Sequence, residues 1–589
     1  MSAGARFLSQ GDPVRAEKSW RRATEIDKNC KLAWFHLTDF LEQAQRIPEA
    51  LECLSQSIAT AEPTATNLFN LGKKSCILGQ FAQGRRLLRE AAQLDPSLKT
   101  QAKLAIARAD WSERDFEAAI LAANEILAAD PENLEALEVR HNCWSSIGWI
   151  PEEVADHRRY LQIRPDCEKH SRMLFKLNYL AEMTPEILYE ESRRWNDLYA
   201  APLASQILPH KNSPDPNRRL KIGYLSPDFK RHSVMKFLAP VLEHHDHQNF
   251  EIFGYYLDNK RDELTEFARR SVDHFVELPA NRNVIAKRVR TDSIDILVDL
   301  AGHTMHTDAY MVFALKPAPL QVSWLGALAT TGLSTMDYFI GGPHMPCPGT
   351  EHLFSEKVYR LPRPNFCYRP AADPGISQSP FFKNGFITFG CFNDPKKITA
   401  EVIKLWAVIL HIHRDAKLLL KYLHFEREIT QRRICQLLTG YGVSPDRIRF
   451  EGQSPNVAYM ASWNQVDIAL DPFPYNGGTT TLDAVWMGVP VISLKGRLTL
   501  STDGANILSS IGLPVATSPE EYVGLANQFV QLIPTTPGIR EHIRDSFSKS
   551  DIRDESGFVR TLENAYREMW HNWCAATDAQ VIPIVATSR

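Results

Sequence analysis

Asp467-Ile-Ala-Leu-Asp-Pro-Phe-Pro-Tyr-Asn-Gly-Gly-Thr-Thr-Thr-Leu-Asp-Ala-Val-Trp-Met-Gly488 runs from a short apolar stretch, through a loop with two glycines and three threonines, into a helix. Strand, loop and helix in that order make one unit of a parallel α/β sheet. The loop has the composition of an anion cradle. Gly477 and Gly478 let the backbone approach a phosphate, the helix start offers unpaired N–H donors with partial positive charge, and Thr479, Thr480 and Thr481 add hydroxyls. Asp483, one turn into the helix, is placed to accept hydrogen bonds from a ribose. Plain N-capping by the threonines and a favourable first-turn carboxylate account for the same residues, so the segment alone leaves both readings open.

Short apolar runs alternate with amphipathic stretches on both sides of this segment: 387–391, 416–421, 448–450 and 490–493 around it, and 220–225, 250–256, 296–300, 321–325 and 357–361 before it. A stretch rich in Pro, Ser and Gly, 370–384, separates the two sets. Two Rossmann-like domains are expected, with a shared cleft at the carboxyl ends of their strands. Phe392-Asn-Asp-Pro-Lys-Lys-Ile398 lies between a strand and a helix, where Lys397 can neutralise a diphosphate; two lysines there also suit a solvated loop. In the first domain, Asp228-Phe-Lys-Arg-His232 and Ala301-Gly-His-Thr304 directly follow strands, which puts His232, His303 and Thr304 at the cleft edge. A histidine there serves as base, donor or orienter, although a lone loop histidine is usually just exposed. His244-His-Asp-His247 sits at a helix end without a fourth ligand at regular spacing and reads as a solvated terminus, not a metal site.

The first third has a different period. Pro63, Pro96, Pro131 and Pro165 recur at intervals near 34 residues, each after a segment rich in Ala, Leu and Ile at helical spacing, which is the tetratricopeptide signature. Gly79-Gln-Phe-Ala-Gln-Gly84, Arg114-Asp-Phe-Glu-Ala-Ala119 and Trp149-Ile-Pro-Glu-Glu-Val154 mark turns followed by small or branched residues that let paired helices approach closely. Such pairs stack into a solenoid with a concave groove. The expected organisation is an α-solenoid over 1–170, a helical linker over 171–217, a first Rossmann-like domain over 218–383, and a second, nucleotide-sugar-binding one with a terminal helix over 384–589. The groove is expected to take protein or peptide; bracing the rest of the chain and self-association are the competing uses.

With 67 basic and 70 acidic residues, the formal charge of -3 gives no field favouring nucleic acid or an anionic membrane. The ten cysteines form no CxxC pair, and buried reduced thiols are expected. No basic region followed by an apolar stretch opens the sequence, and no apolar run reaches spanning length, so a cytoplasmic protein is expected.

Residues 220–229 with His232, 296–304, Pro317-Ala-Pro-Leu-Gln-Val-Ser-Trp-Leu-Gly326, Met336-Asp-Tyr338, Ser355-Glu-Lys357, Lys397 and 476–490 together resemble the protein O-GlcNAc transferase family, including its bacterial and SPINDLY-like members. The resemblance spans nearly the whole chain. It implies tetratricopeptide repeats joined to a GT-B pair of domains. Lys397, Thr479 and Thr480 would hold the diphosphate of a nucleotide sugar in the loop of Gly477 and Gly478, and Asp483 the ribose. Tyr459 would lie near the nucleotide, Thr304 and Gly332 near the sugar, and His232 near the reacting centre, so that His232 and Lys397 are the catalytic candidates. The implied reaction is an inverting displacement by a Ser or Thr hydroxyl without metal or cofactor, the donor UDP-GlcNAc, with UDP-glucose and GDP-fucose as alternatives. The sequence departs from the family at Tyr459, where histidine is usual, and at Ser462, Gly478 and Asp394. Ser501-Thr502 replaces a Ser-Arg pair and is followed by Asp503-Gly504. These departures motivate a second reading, a protein-binding scaffold with weak catalysis. A carboxylate at Asp394 repels a diphosphate unless it turns away or pairs with Lys396.

Overall fold

Small residues set how closely the N-terminal helices approach. In the computed structural model, which describes residues 3–326 and 329–581, the unit Met1–Pro165 is built of consecutive helix pairs. Lys31–Gln43 packs on Ile47–Thr60, Ala65–Ile77 on Phe81–Leu94, Lys99–Ser112 on Phe116–Ala129, and Leu134–Ile147 on Ile150–Ile163. A Cβ on Gly84 would lie 2.3 Å from the Cys76 sulfur and 2.8 Å from the Gly72 carbonyl, so only glycine fits that crossing. Ala16, Ala50 and Ala119 occupy matching places in other pairs and are fully buried. Trp20, Leu37, Leu41, Leu54, Leu71 and Leu87 fill the space between pairs. The periodic prolines fall after the second helix of each pair, where a missing N–H costs nothing.

The unit Asp166–Arg589 holds two parallel sheets. The first comprises β1 (Leu220–Ser226), β2 (Phe250–Tyr256), β3 (His274–Glu277), β4 (Ile296–Asp299), β5 (Leu320–Ser323), β6 (Tyr338–Gly341) and β7 (Lys357–Arg360), in the order β3-β2-β1-β4-β5-β6-β7. The second comprises β8 (Thr388–Cys391), β9 (Lys417–Lys421), β10 (Ile448–Glu451), β11 (Ile468–Leu470) and β12 (Val491–Ile492), in the order β10-β9-β8-β11-β12. In each sheet the strand order reverses once, between β1 and β4 and between β8 and β11. Ligands of open α/β sheets bind beyond the carboxyl ends at that reversal. The four loops singled out in the sequence, 228–232, 301–304, 392–398 and 471–478, leave these four strands.

Two segments attach differently from the expected linear division. The expected helical linker over 171–217 holds most of the helix Cys167–Leu177 and all of Pro185–Trp195; the first begins inside the expected 1–170 solenoid, and both belong to the Asp166–Arg589 unit. Trp195 is fully buried, edge-on to His303 with ring centroids 4.9 Å apart, while Phe175 and Tyr179 pack on Tyr475. The last helix, Glu555–Val581, follows the second domain in the chain but packs on the first. Phe558, Leu562, Tyr566, Met569 and Trp570 form an apolar stripe at helical spacing that completes the core under β1 and β5. Residues 582–589 of the expected second domain lie outside the described residues.

All ten cysteines are free thiols. Burial pushes those of Cys143, Cys167, Cys367 and Cys391 up to about 12, far from the thiolate that metal or redox chemistry needs. Among the described residues no helix is long and apolar enough to cross a membrane.

Candidate active site

The cradle begins where β11 ends. Asp471 is buried and accepts from the Gly477 N–H at 2.7 Å, the Ser493 hydroxyl at 2.6 Å and the Thr481 hydroxyl at 3.4 Å. These bonds fold the loop back so that Gly477 and Gly478 lead directly into the Thr479–Trp486 helix. A Cβ on Gly477 would meet the Thr480 hydroxyl oxygen at 2.5 Å, so the turn admits only glycine. The parallel loop after β8 supplies the cation. The Lys397 ammonium donates to the Asn476 carbonyl at 2.8 Å and lies 3.7 Å from the centre of the Tyr475 ring. Asn393, from the same loop, accepts from the Thr480 hydroxyl at 2.7 Å. The two loops read separately from the sequence are therefore one hydrogen-bonded site.

Burial and opposing charge set the electrostatics. Burial lowers the Lys397 pKa, against the pull of Asp471, Asp503 and Asp394. Burial raises Asp471 to about 7, opposed by its three donors and Lys397; burial and the Asp471 charge raise Asp503 to about 7, opposed by Lys397. Asp394 does turn away. Its carboxylate caps the Lys396 N–H at 3.0 Å and faces His424 Nδ1 at 3.5 Å. Burial disfavours its charge, but the His424 bond and Lys396 outweigh burial and hold the carboxyl below its ordinary value.

Asp483 is 1% exposed and more heavily engaged than a ribose acceptor needs to be. Lys236, on the Met235–His244 helix of the first domain, lies 3.0 Å from both its oxygens, and the Tyr368 hydroxyl donates to it. Burial and then the Asp483 charge hold the nearby Tyr459 phenol well above its ordinary value. A lysine of one domain thus grips a carboxylate of the other across the cleft.

The first-domain candidates bond within their own domain or to the two helices that precede it. His232 is exposed; its Nδ1 accepts from the Val234 N–H at 3.3 Å and faces Asp228 at 3.6 Å. Thr304 is exposed too, and its hydroxyl donates to the Ala301 carbonyl at 2.6 Å. His303 is held by Thr331 O at 3.3 Å and Ser171 Oγ at 2.7 Å. A carbonyl only accepts, so the ring carries its proton on Nε2 and Nδ1 accepts from Ser171. Burial lowers the His303 pKa to about 4, and with both nitrogens engaged the ring holds structure in its neutral form. Gly332 has a φ of 75°, and a Cβ there would lie 2.2 Å from the Ser192 carbonyl. Gly332→Ala is expected to cost about 1–3 kcal/mol from strain and overpacking, read as a lower denaturation midpoint without any nucleotide. An unchanged midpoint would sink this packing role.

Several site residues went unread in the sequence. Asn393 and Asp471 sit one or two residues past a strand end inside the quoted segments, a usable signal. Tyr475 lies inside the quoted loop and Asp503 just past the departure at Ser501-Thr502, whereas Lys236 and Tyr368 gave no signal, because only the folding together of distant segments brings them to the cleft.

Residues 203–368 and 380–562 match glycosyl transferase family 41. The chain is 34% identical over 427 residues to the probable UDP-N-acetylglucosamine–peptide N-acetylglucosaminyltransferase SPINDLY of Petunia hybrida, covering 70% of this chain and 45% of that protein. It is 29% identical over 379 residues to the probable transferase SEC of Arabidopsis thaliana, covering 62% of this chain and 38% of that protein. The chain spans about half the length, or less, of these curated relatives. Among solved structures, a mutant O-GlcNAc transferase of Thermobaculum terrenum superposes with a TM-score of 0.75 at 31% identity, covering 87% of this chain and 99% of that one. Two facing parallel sheets, a cation beside a glycine-threonine helix start, and a match over more than half the residues lead to one assignment: the chain belongs to glycosyl transferase family 41.

Proposed function

We propose that this chain is an inverting, metal-independent glycosyltransferase that moves a sugar, GlcNAc from UDP-GlcNAc first, onto Ser or Thr hydroxyls of proteins presented by the Met1–Pro165 array. The observation that carries the reading is the Lys397 ammonium beside the Gly477–Gly478 loop at the start of the Thr479–Trp486 helix. An acceptor hydroxyl attacks the anomeric carbon from the face opposite the diphosphate; the new C–O bond forms as the bond to the diphosphate oxygen breaks, and the hydroxyl proton passes to solvent water. Negative charge grows on the departing diphosphate, and Lys397, the helix-start N–H groups, Thr479 and Thr480 stabilise it there more than in the ground state. Asp483 and Tyr459 face the nucleoside, Thr304 and Gly332 the sugar, and His232 the reacting centre. The names of the relatives, which pair UDP-N-acetylglucosamine with peptide acceptors, favour this donor and acceptor class.

A thermal-denaturation series with UDP, GDP, UDP-GlcNAc, UDP-glucose and GDP-fucose tests it. A ligand that binds only the folded state at about 100 times its Kd adds about 2.7 kcal/mol, so one nucleotide series is expected to raise the midpoint by several degrees. Silence from all five at millimolar concentration rules the reading out. The stabilising donor then goes into transfer assays with full-length protein and with residues 1–165 removed. Loss of protein modification with donor hydrolysis retained is expected; equal modification by both would remove the array from acceptor presentation.

A further inference from the structure

Three carboxylates act through their charge on the Lys397 ammonium, and two already have hydrogen-bond donors. Asp394 takes the Lys396 N–H and faces His424. Asp471 takes Gly477, Ser493 and Thr481. The third, Asp503, has no hydrogen-bond donor among the described residues, although it is only 8% exposed. It opens the Asp503–Ser509 helix and points at the phosphate loop: a Cβ on Gly478 would sit 3.5 Å from its Oδ2. The titratable groups facing it are Lys397 from the loop after β8, Asp471 from the end of β11, and the Tyr475 phenol. Asp503 is thus nine-tenths buried, has no protein donor among the described residues, and meets solvent only where it faces the anion cradle, so a ligand entering there displaces the solvent that it relies on.

Resting on the nucleotide-sugar reading above, we infer that Asp503 couples donor binding to the uptake of one proton. As the diphosphate enters, the carboxylate takes a proton from solvent, becomes a neutral carboxyl, and donates its O–H to a phosphate oxygen. A charged carboxylate at this position repels the diphosphate once the ligand has displaced the solvent between them, whereas a neutral carboxyl turns repulsion into a charge-assisted bond. Burial already favours the neutral form, with the Asp503 pKa raised to about 7 before a second anion arrives. Asp471 is raised as far, but its oxygens already accept from protein donors. The sign follows from linkage: the complex holds more protons than the free protein, so affinity falls as pH rises above the free carboxyl's pKa, by about tenfold per pH unit.

Calorimetric titration of the full chain with UDP-GlcNAc tests this, because neither phosphate of a nucleotide sugar titrates near neutrality. Titrations between about pH 6 and about pH 8.5 in buffers of different ionisation heat are expected to show Kd rising about tenfold per unit above pH 7, with uptake approaching one proton. Asp503→Asn keeps the shape and a donor without the charge; its Kd is expected to be flat with pH and at least about tenfold lower than that of the wild type near pH 8.5. A flat wild-type profile overturns the inference, as does a pH dependence that survives in Asp503→Asn, which assigns the proton to Asp471. Tighter binding of the wild type alone with added Mg2+ near pH 8.5 also overturns it, since Asp503 would then bridge a cation to the diphosphate. Binding by neither protein at any pH defeats the nucleotide-sugar reading itself, and this inference with it.

Discussion

Lys397→Ala is expected to lower turnover of the nucleotide-sugar donor by about 10²–10³-fold, the usual loss when one preorganised charge-stabilising group is removed. The fall should lie in kcat more than in KM, because the ammonium meets the largest charge only as the diphosphate departs. The structure adds a second consequence. Lys397 is the cation common to Asp471 and Asp503, and its charge opposes the burial that raises both carboxyls. Without it both move further up, and the loop held by the Gly477 N–H to Asp471 bond loses part of its charge assistance. Lys397→Arg is expected to rescue only in part, because a planar fork does not reproduce the single donor that Nζ places 2.8 Å from the Asn476 carbonyl and 3.7 Å from the centre of the Tyr475 ring. Single-turnover donor cleavage separates the chemical step from binding. If Lys397→Ala cleaves donor within about threefold of the wild-type rate, the cradle is not where the diphosphate leaves.

What could be read from the sequence was what local chemistry dictates. The proline period fixes the repeat array because a helix pair has a set length, and the Gly-Gly-Thr loop declares itself because few other residues bring a backbone so close to an anion. Strand ends are also local, which is why the loops after β1, β4, β8 and β11 were all singled out. Partnerships across the fold left no such mark. Lys236 looks like any solvated lysine near a helix start until the Met235–His244 helix meets Asp483. The stripe of Phe558, Leu562, Tyr566 and Trp570 announces an amphipathic helix but not which sheet it covers. Gly332 was read as a sugar contact through family resemblance, whereas its φ and the Ser192 carbonyl require glycine there whatever binds.

Lys236→Met is expected to cost about 3 kcal/mol of folding stability, at the lower end of the range for breaking a buried ion pair, since the lysine side chain is 20% exposed while that of Asp483 is 1% exposed. Methionine keeps most of the apolar stem and removes only the charge. Asp483 then keeps the hydroxyl of Tyr368, enough for a polar group but not for a desolvated carboxylate. Because the pair joins the two α/β domains, the loss should appear in guanidinium denaturation as separation of one transition into two. Asp483→Asn in the Lys236→Met background discharges the stranded carboxylate and should recover most of the stability, giving a coupling energy of at least about 1 kcal/mol in the double-mutant cycle. A single variant that unfolds within about 0.5 kcal/mol of the wild type would mean that the carboxylate finds solvent or another donor. The same pair bears on the donor. A ribose that claims Asp483 must displace Lys236 or Tyr368, and Lys236, reaching across the cleft from the other domain, is the one whose release would couple nucleotide binding to movement between the domains.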